Sequence, residues 1–87
     1  MKLKSLLPEV ISRFSKIPKE TVIAHAEKVK ASGNYKDLKT RIAWDLLHAT
    51  YKPSEICDWY EQYDCHDNHI TTLVKEALNK AFPDIID

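Results

Sequence analysis

Apolar residues recur along this chain at the three- and four-residue spacing of amphipathic helices. Leu6, Leu7, Val10, Ile11 and Phe14 line one face of a helix predicted over about 5–16, with Ser5 as its N-cap and Pro8 tolerated in its first turn. Pro18 ends it. Val22, Ile23, Ala26 and Val29 mark a second helix over about 19–32, and Gly33 stands in its C-terminal cap position. Asp37 opens a third helix that runs to about 51. Its stripe is Leu38, Ile42, Ala43, Leu46 and Ala49, widened by Trp44 and Leu47, an arc broad enough for the central helix of a bundle. Pro53 fits the first turn of a fourth helix over 53–63, with Ile56, Trp59, Tyr60 and Tyr63 inward. Asp67 caps a fifth, to about 82, in which Ile70, Leu73, Val74, Ala77, Leu78 and Ala81 keep helical register. The tail is expected to fold back through Ile85 and Ile86.

Short loops between short helices imply an all-α fold: a compact single-domain bundle of about five helices, packed at non-parallel angles. Composition agrees. The single glycine, Gly33, cannot serve the many positive-φ turns of a β fold. A chain of 87 residues makes one domain and buries only about 60% of its unfolded surface, so its core must be efficient. No apolar run approaches the roughly 20 residues needed to cross a bilayer. Pro8 and Glu9 interrupt the N-terminal apolar run before it reaches signal-peptide length, so a cytoplasmic, soluble protein is expected. Cys57 and Cys65 are then expected to be free thiols.

Net charge is zero, but the charges are segregated. Residues 1–52 hold eleven Lys/Arg against five Asp/Glu, whereas residues 53–87 hold two against eight. Basic helices lying on acidic ones would account for this. So would a basic face for a polyanion, or an acidic face for a basic partner.

Chemistry concentrates in "DCHDNHITTL", residues 64–73. Cys57, Cys65, His66 and His69 are all zinc-ligand types, but they lack the paired spacing of known fingers, and apolar packing explains both cysteines. No metal or other cofactor is expected. The same stretch also fits a helix-turn-helix-like C-terminal half: a first helix over 54–63, a turn at Asp64, Cys65 and His66, and a second helix over about 67–80. Trp59, Tyr63, Cys65, Ile70 and Leu73 have the spacing that packs such a pair. The pattern covers about 20 residues and departs twice, with Asp64 where glycine is usual and Tyr60 where a small residue is usual.

Two functions follow. The first is a small regulatory DNA-binding protein. Asn68, His69, Thr71, Thr72 and Lys75 would face base edges, and Lys36, Lys39, Arg41 and Lys52 would meet phosphates. Asp58, Glu61, Asp64 and Asp67 ring the turn and oppose the field of a duplex. The alternative uses those four carboxylates: a non-catalytic inhibitor or adaptor that meets a basic protein surface and imitates phosphates. Tyr35, Tyr51, Trp59 and Tyr60 are its aromatic anchors if exposed. A homodimer pairing the basic half of one chain with the acidic half of another is a further option. Catalysis is not expected. There is no glycine-rich phosphate loop, the adjacent Cys65 and His66 make a poor nucleophile pair, and His25 and His48 lie on separate helices.

Overall fold

A computed structural model describes residues 2–84. A 3-10 turn, Lys2–Leu6, leads into α1 (Leu7–Ser15), α2 (Lys19–Ser32), α3 (Leu38–Thr50), α4 (Pro53–Gln62) and α5 (Asp67–Ala81). The domain is all-α, as the hydrophobic spacing requires, and no strand occurs among the described residues. Gly33 closes α2 at φ 67 and donates its N–H to Lys30 O, the conformation for which glycine was expected there. The expected return of the tail through Ile85 and Ile86 lies outside the described residues.

Two expected caps are displaced. Ser5 sits inside the 3-10 turn, and α1 is entered through Leu6, which already has helical dihedrals and makes no side-chain cap. Asp67 is the first residue of α5, and its N-cap is His66. The His66 N–H is satisfied by His69 Nδ1 at 3.0 Å, so the side chain three residues into the helix reaches back to the cap. Glu55 does the same for the Lys52 N–H at the start of α4, at 2.9 Å.

Val10 and Phe14 of α1, Val22 of α2, Ile42, Ala43 and Leu47 of α3, and Ile70, Val74 and Ala77 of α5 are sealed from solvent. α5 packs extensively against both α1 and α3, so it shares the central place expected for α3. α2 rests on α3, buries Val22, Ala26 and Val29, and leaves Ile23 exposed, contrary to its expected inward place. Ala49, also expected inside, is exposed. α4 is anchored by Ile56 and Trp59. Tyr51 meets Trp59 edge-on with ring centroids 4.9 Å apart, and the Arg13 guanidinium lies 4.3 Å from the Tyr51 ring centroid. Arg13 also donates to Thr50 O at 3.3 Å, and the Tyr51 hydroxyl donates to Glu9, so one cluster ties α1 to the end of α3 and to α4.

Burial, helped by the nearby Glu9 carboxylate, pushes Tyr51 up to about 12; the hydrogen bond to Asp67 pushes Tyr60 up to about 12. An unfolded tyrosine ionises near 10. The folded state therefore holds these protons more tightly. The resulting stabilisation is intact below about pH 10 and is lost as pH rises toward about 12. An absorbance titration of phenolate formation is expected to show a late step at high pH. Tyr51→Phe and Tyr60→Phe should each remove part of that step.

The ion pairs do not neutralise the segregated charge. Among the described residues they join His25 to Asp45, Arg41 to Asp45, and Lys75 to Asp37. The first two lie within the basic half. The third crosses between halves with the signs reversed, a lysine from the acidic half meeting an aspartate from the basic half. Basic-half helices α1 and α3 nevertheless lie on α5 of the acidic half.

Candidate functional site

The turn between α4 and α5 carries the left-handed residue its sequence calls for, whereas α4 itself packs only lightly on α5. Tyr63 closes α4 through an N–H to Trp59 O bond of 3.0 Å. Asp64 then takes a left-handed conformation at φ 48, a position glycine fills without strain and aspartate tolerates. Cys65 is buried and directs its thiol back onto Trp59 O at 3.4 Å, and burial pushes that thiol up. Trp59, Cys65, Ile70 and Leu73 all enter the core, and Tyr63 is half-buried. Tyr60, too large for close helix approach, reaches across the turn and donates its hydroxyl to Asp67. Asp67 thus clamps α4 to α5 rather than capping α5.

The four zinc-ligand types do not converge. Cys65 points into the core, Cys57 is exposed on α4, and both are free thiols. The His66 and His69 rings stack with centroids 5.5 Å apart, and Nδ1 of His69 is taken by the His66 N–H. Among the described residues no group of three or more His, Cys, Asp or Glu is placed to hold a metal ion.

The expected reading face of α5 is divided. Asn68 and Thr72 are exposed, and the Thr72 hydroxyl donates to Asn68 O at 3.0 Å. His69 is half-buried and turns away, into a groove of about 330 Å³ whose other walls include Leu3, Lys4 and Leu73. Thr71 is half-buried, and its hydroxyl accepts the Trp44 indole N–H at 2.9 Å. Lys75 places Nζ 2.9 Å from Asp37. Of the expected phosphate contacts, Arg41 donates to Asp45 at 3.1 Å and to Asn34 O at 3.3 Å. Lys52 is exposed just ahead of α4, and Lys39 is half-buried. Asp58, Glu61, Asp64 and Asp67 are exposed, and none of them joins an ion pair among the described residues.

Several of these residues converge on a groove at the start of α3. Tyr35, Lys36, Asp37, Thr40, Arg41 and Trp44 line a space of about 370 Å³. Its aromatic components differ. Tyr35 is 38% exposed. Trp44 is half-buried and held in place, its indole N–H on Thr71 and its ring 5.7 Å from His48. Asp37 accepts from the Thr40 hydroxyl at 2.6 Å and from Lys75, and these bonds hold its carboxyl below the usual carboxylate range. Loop, α3 and α5 thereby bring Lys36, Arg41, Thr71 and Lys75 to one place. Lys39 and Lys52 are not part of its lining. Trp44 is the residue that sequence reasoning missed, since a tryptophan at helical spacing reads as core. The available signal was its N–H, which needs a partner when only partly buried. Of the four aromatic anchors considered, Tyr51 and Trp59 are core, Tyr60 is tied to Asp67, and Tyr35 alone is exposed.

The chain matches no protein-family model, no curated protein and no solved structure. Among the described residues no helix is long and apolar enough to cross a membrane.

Proposed function

We propose that this chain is a small, non-catalytic nucleic-acid-binding protein with a regulatory role, DNA being the expected ligand. One observation carries this: Lys36 and Arg41 line a groove with an aromatic wall, and Thr71 and Lys75 of α5 bond two of its other lining residues, Trp44 and Asp37. The pairs that now hold Arg41 and Lys75 are exposed and are worth about 0–1 kcal/mol each, so a phosphate can replace their aspartate partners. The helix-turn-helix-like turn supports the reading by leaving Asn68 and Thr72 exposed beside this face. It does not favour insertion of the α5 N-terminus into a duplex. Asp64 and Asp67 stand exposed there and face the phosphate field directly. The contact is therefore placed on the side of α3 and α5, not at the tip of α5.

The test is binding of labelled DNA followed by anisotropy across a salt series. Contact with three phosphates predicts a slope of about −2 to −3 in log K against log salt. Absence of binding at low salt would reject the proposal.

A second reading rests on α4. This helix carries Glu55, Asp58 and Glu61 with no Lys or Arg, and Asp58 and Glu61 have no ion-pair partner among the described residues. That surface suits a basic protein, as an inhibitor or adaptor imitating phosphates would use. Its signature is a single protein captured regardless of nuclease treatment and lost when Asp58 and Glu61 become lysine.

A further inference from the structure

We infer that the groove beside Trp44 is a stacking site for an unpaired nucleobase, so that the ligand of this face is a single-stranded segment and not an intact duplex. The inference rests on the nucleic-acid-binding reading and sharpens it. Single-strand sites combine cations that follow the backbone with aromatic faces on which bases stack. Both parts are here. Tyr35 is exposed on the loop ahead of α3, Trp44 of α3 lines the same space, and that space of about 370 Å³ is mostly apolar. Lys36 and Arg41 line the same groove, and Lys75 lies against its Asp37 edge.

Trp44 is already oriented for such a role. Its N–H is fixed on Thr71, and its ring is held beside His48. Little side-chain freedom is left to lose on stacking, which is how a preorganised wall gains affinity. A base held here needs no hydrogen-bonding code, because every base has a stacking face.

Charge decides between single strand and duplex. A duplex is broad and carries two phosphate rails; covering the α3–α5 face, it would also approach Asp64 and Asp67 at the start of α5. A single strand is narrow and can follow Lys36, Arg41 and Lys75 while avoiding both. Asp37 and Asp45 also lie on this face, in exposed pairs with Lys75 and Arg41, and a strand that recruits those two cations displaces only weak, solvent-screened pairs.

The experiment titrates the full chain with labelled oligo(dT), oligo(U) and a DNA hairpin, each of about 15 nucleotides. Anisotropy and tryptophan emission are followed together. The expected result is tighter binding of a single strand than of the hairpin, with quenching that Trp44→Phe removes. The oligo(dT) and oligo(U) arms distinguish DNA from RNA as the source of the strand. Tyr35→Ala should weaken single-strand binding at least about fivefold, the lower end of the loss for one stacked base, and Tyr35→Trp should retain it. Tyr35 is on an exposed loop, so these variants keep the core intact. Hairpin binding equal to or tighter than single-strand binding, with Tyr35→Ala silent, would overturn the stacking site and leave nucleic-acid binding standing. No binding of any of the three would remove both.

Discussion

Truncating Phe14 to alanine is expected to cost about 3–5 kcal/mol. Phe14 is fully buried in α1, the helix that packs most extensively on α5. Alanine would leave a cavity between these helices that the surrounding side chains only partly fill. A domain of 87 residues has a total stability of about 4–13 kcal/mol, so the loss is roughly a quarter or more of the whole. Each kcal/mol corresponds to roughly 4–8 °C in Tm at this size, which makes the expected drop larger than about 12 °C. Urea unfolding followed by the emission of the buried Trp59 measures it directly. Ala49→Ser on the exposed side of α3 is the comparison, and its effect should stay within about 0.5 kcal/mol. A loss below about 1 kcal/mol for Phe14→Ala would mean that α1 is not a structural part of the core.

The residues most legible in the sequence are those whose role is local. Helical spacing places Val10, Phe14, Ile42, Ile70 and Leu73 inside, because burial of a helix face depends on its own periodicity. Gly33 and Asp64 are found where a left-handed residue was expected, because backbone sterics near a helix end admit few residue types. Ala49 is misplaced because a small apolar side chain is carried on either face at little cost. His66 caps α5 in place of Asp67 because Tyr60 of the preceding helix claims the Asp67 carboxylate, while His69, three residues on, reaches back to the His66 N–H.

The candidate site was legible only in pieces. Lys36, Arg41, Thr71 and Lys75 were each identifiable as polar residues on exposed helical or loop positions. That they meet follows from the packing of α3 on α5, which no periodicity reports. A helical wheel shows Thr71 pointing outward; it cannot show that Trp44 of another helix is there to use its hydroxyl. The reversed Lys75–Asp37 pair is hidden for the same reason. Charge counts along the chain leave open whether the two halves cover each other; the structure packs α1 and α3 of the basic half on α5 of the acidic half, yet joins the halves by ion pair only through Lys75 and Asp37 among the described residues.

Replacing Lys36, Arg41 and Lys75 together by glutamine is expected to abolish the salt-dependent binding of nucleic acid. Three phosphate contacts at a slope of about −0.7 each on a single strand correspond to roughly a hundredfold in affinity between 0.1 and 1 M salt. Losing them removes that factor at 0.1 M salt and flattens the slope by about 0.7 for each cation lost. The fold should survive. Arg41 and Lys75 give up exposed pairs worth about 0–1 kcal/mol each, and glutamine introduces no like charge beside Asp45 or Asp37. Unfolding curves of the variant therefore serve as its internal control. Net charge alone is separated from the site by Lys39→Gln combined with Lys52→Gln, which removes two positive charges whose ammonium groups, among the described residues, neither line the groove nor bond a residue that does, as Lys75 bonds Asp37. That pair should change affinity only slightly and leave most of the slope in place. Equal losses in the two variants would show that binding follows overall charge and has no locus on the α3–α5 face. A triple variant that still binds with an unchanged slope would place the phosphates elsewhere on the molecule, and would shift attention to the remaining lysines of the basic half.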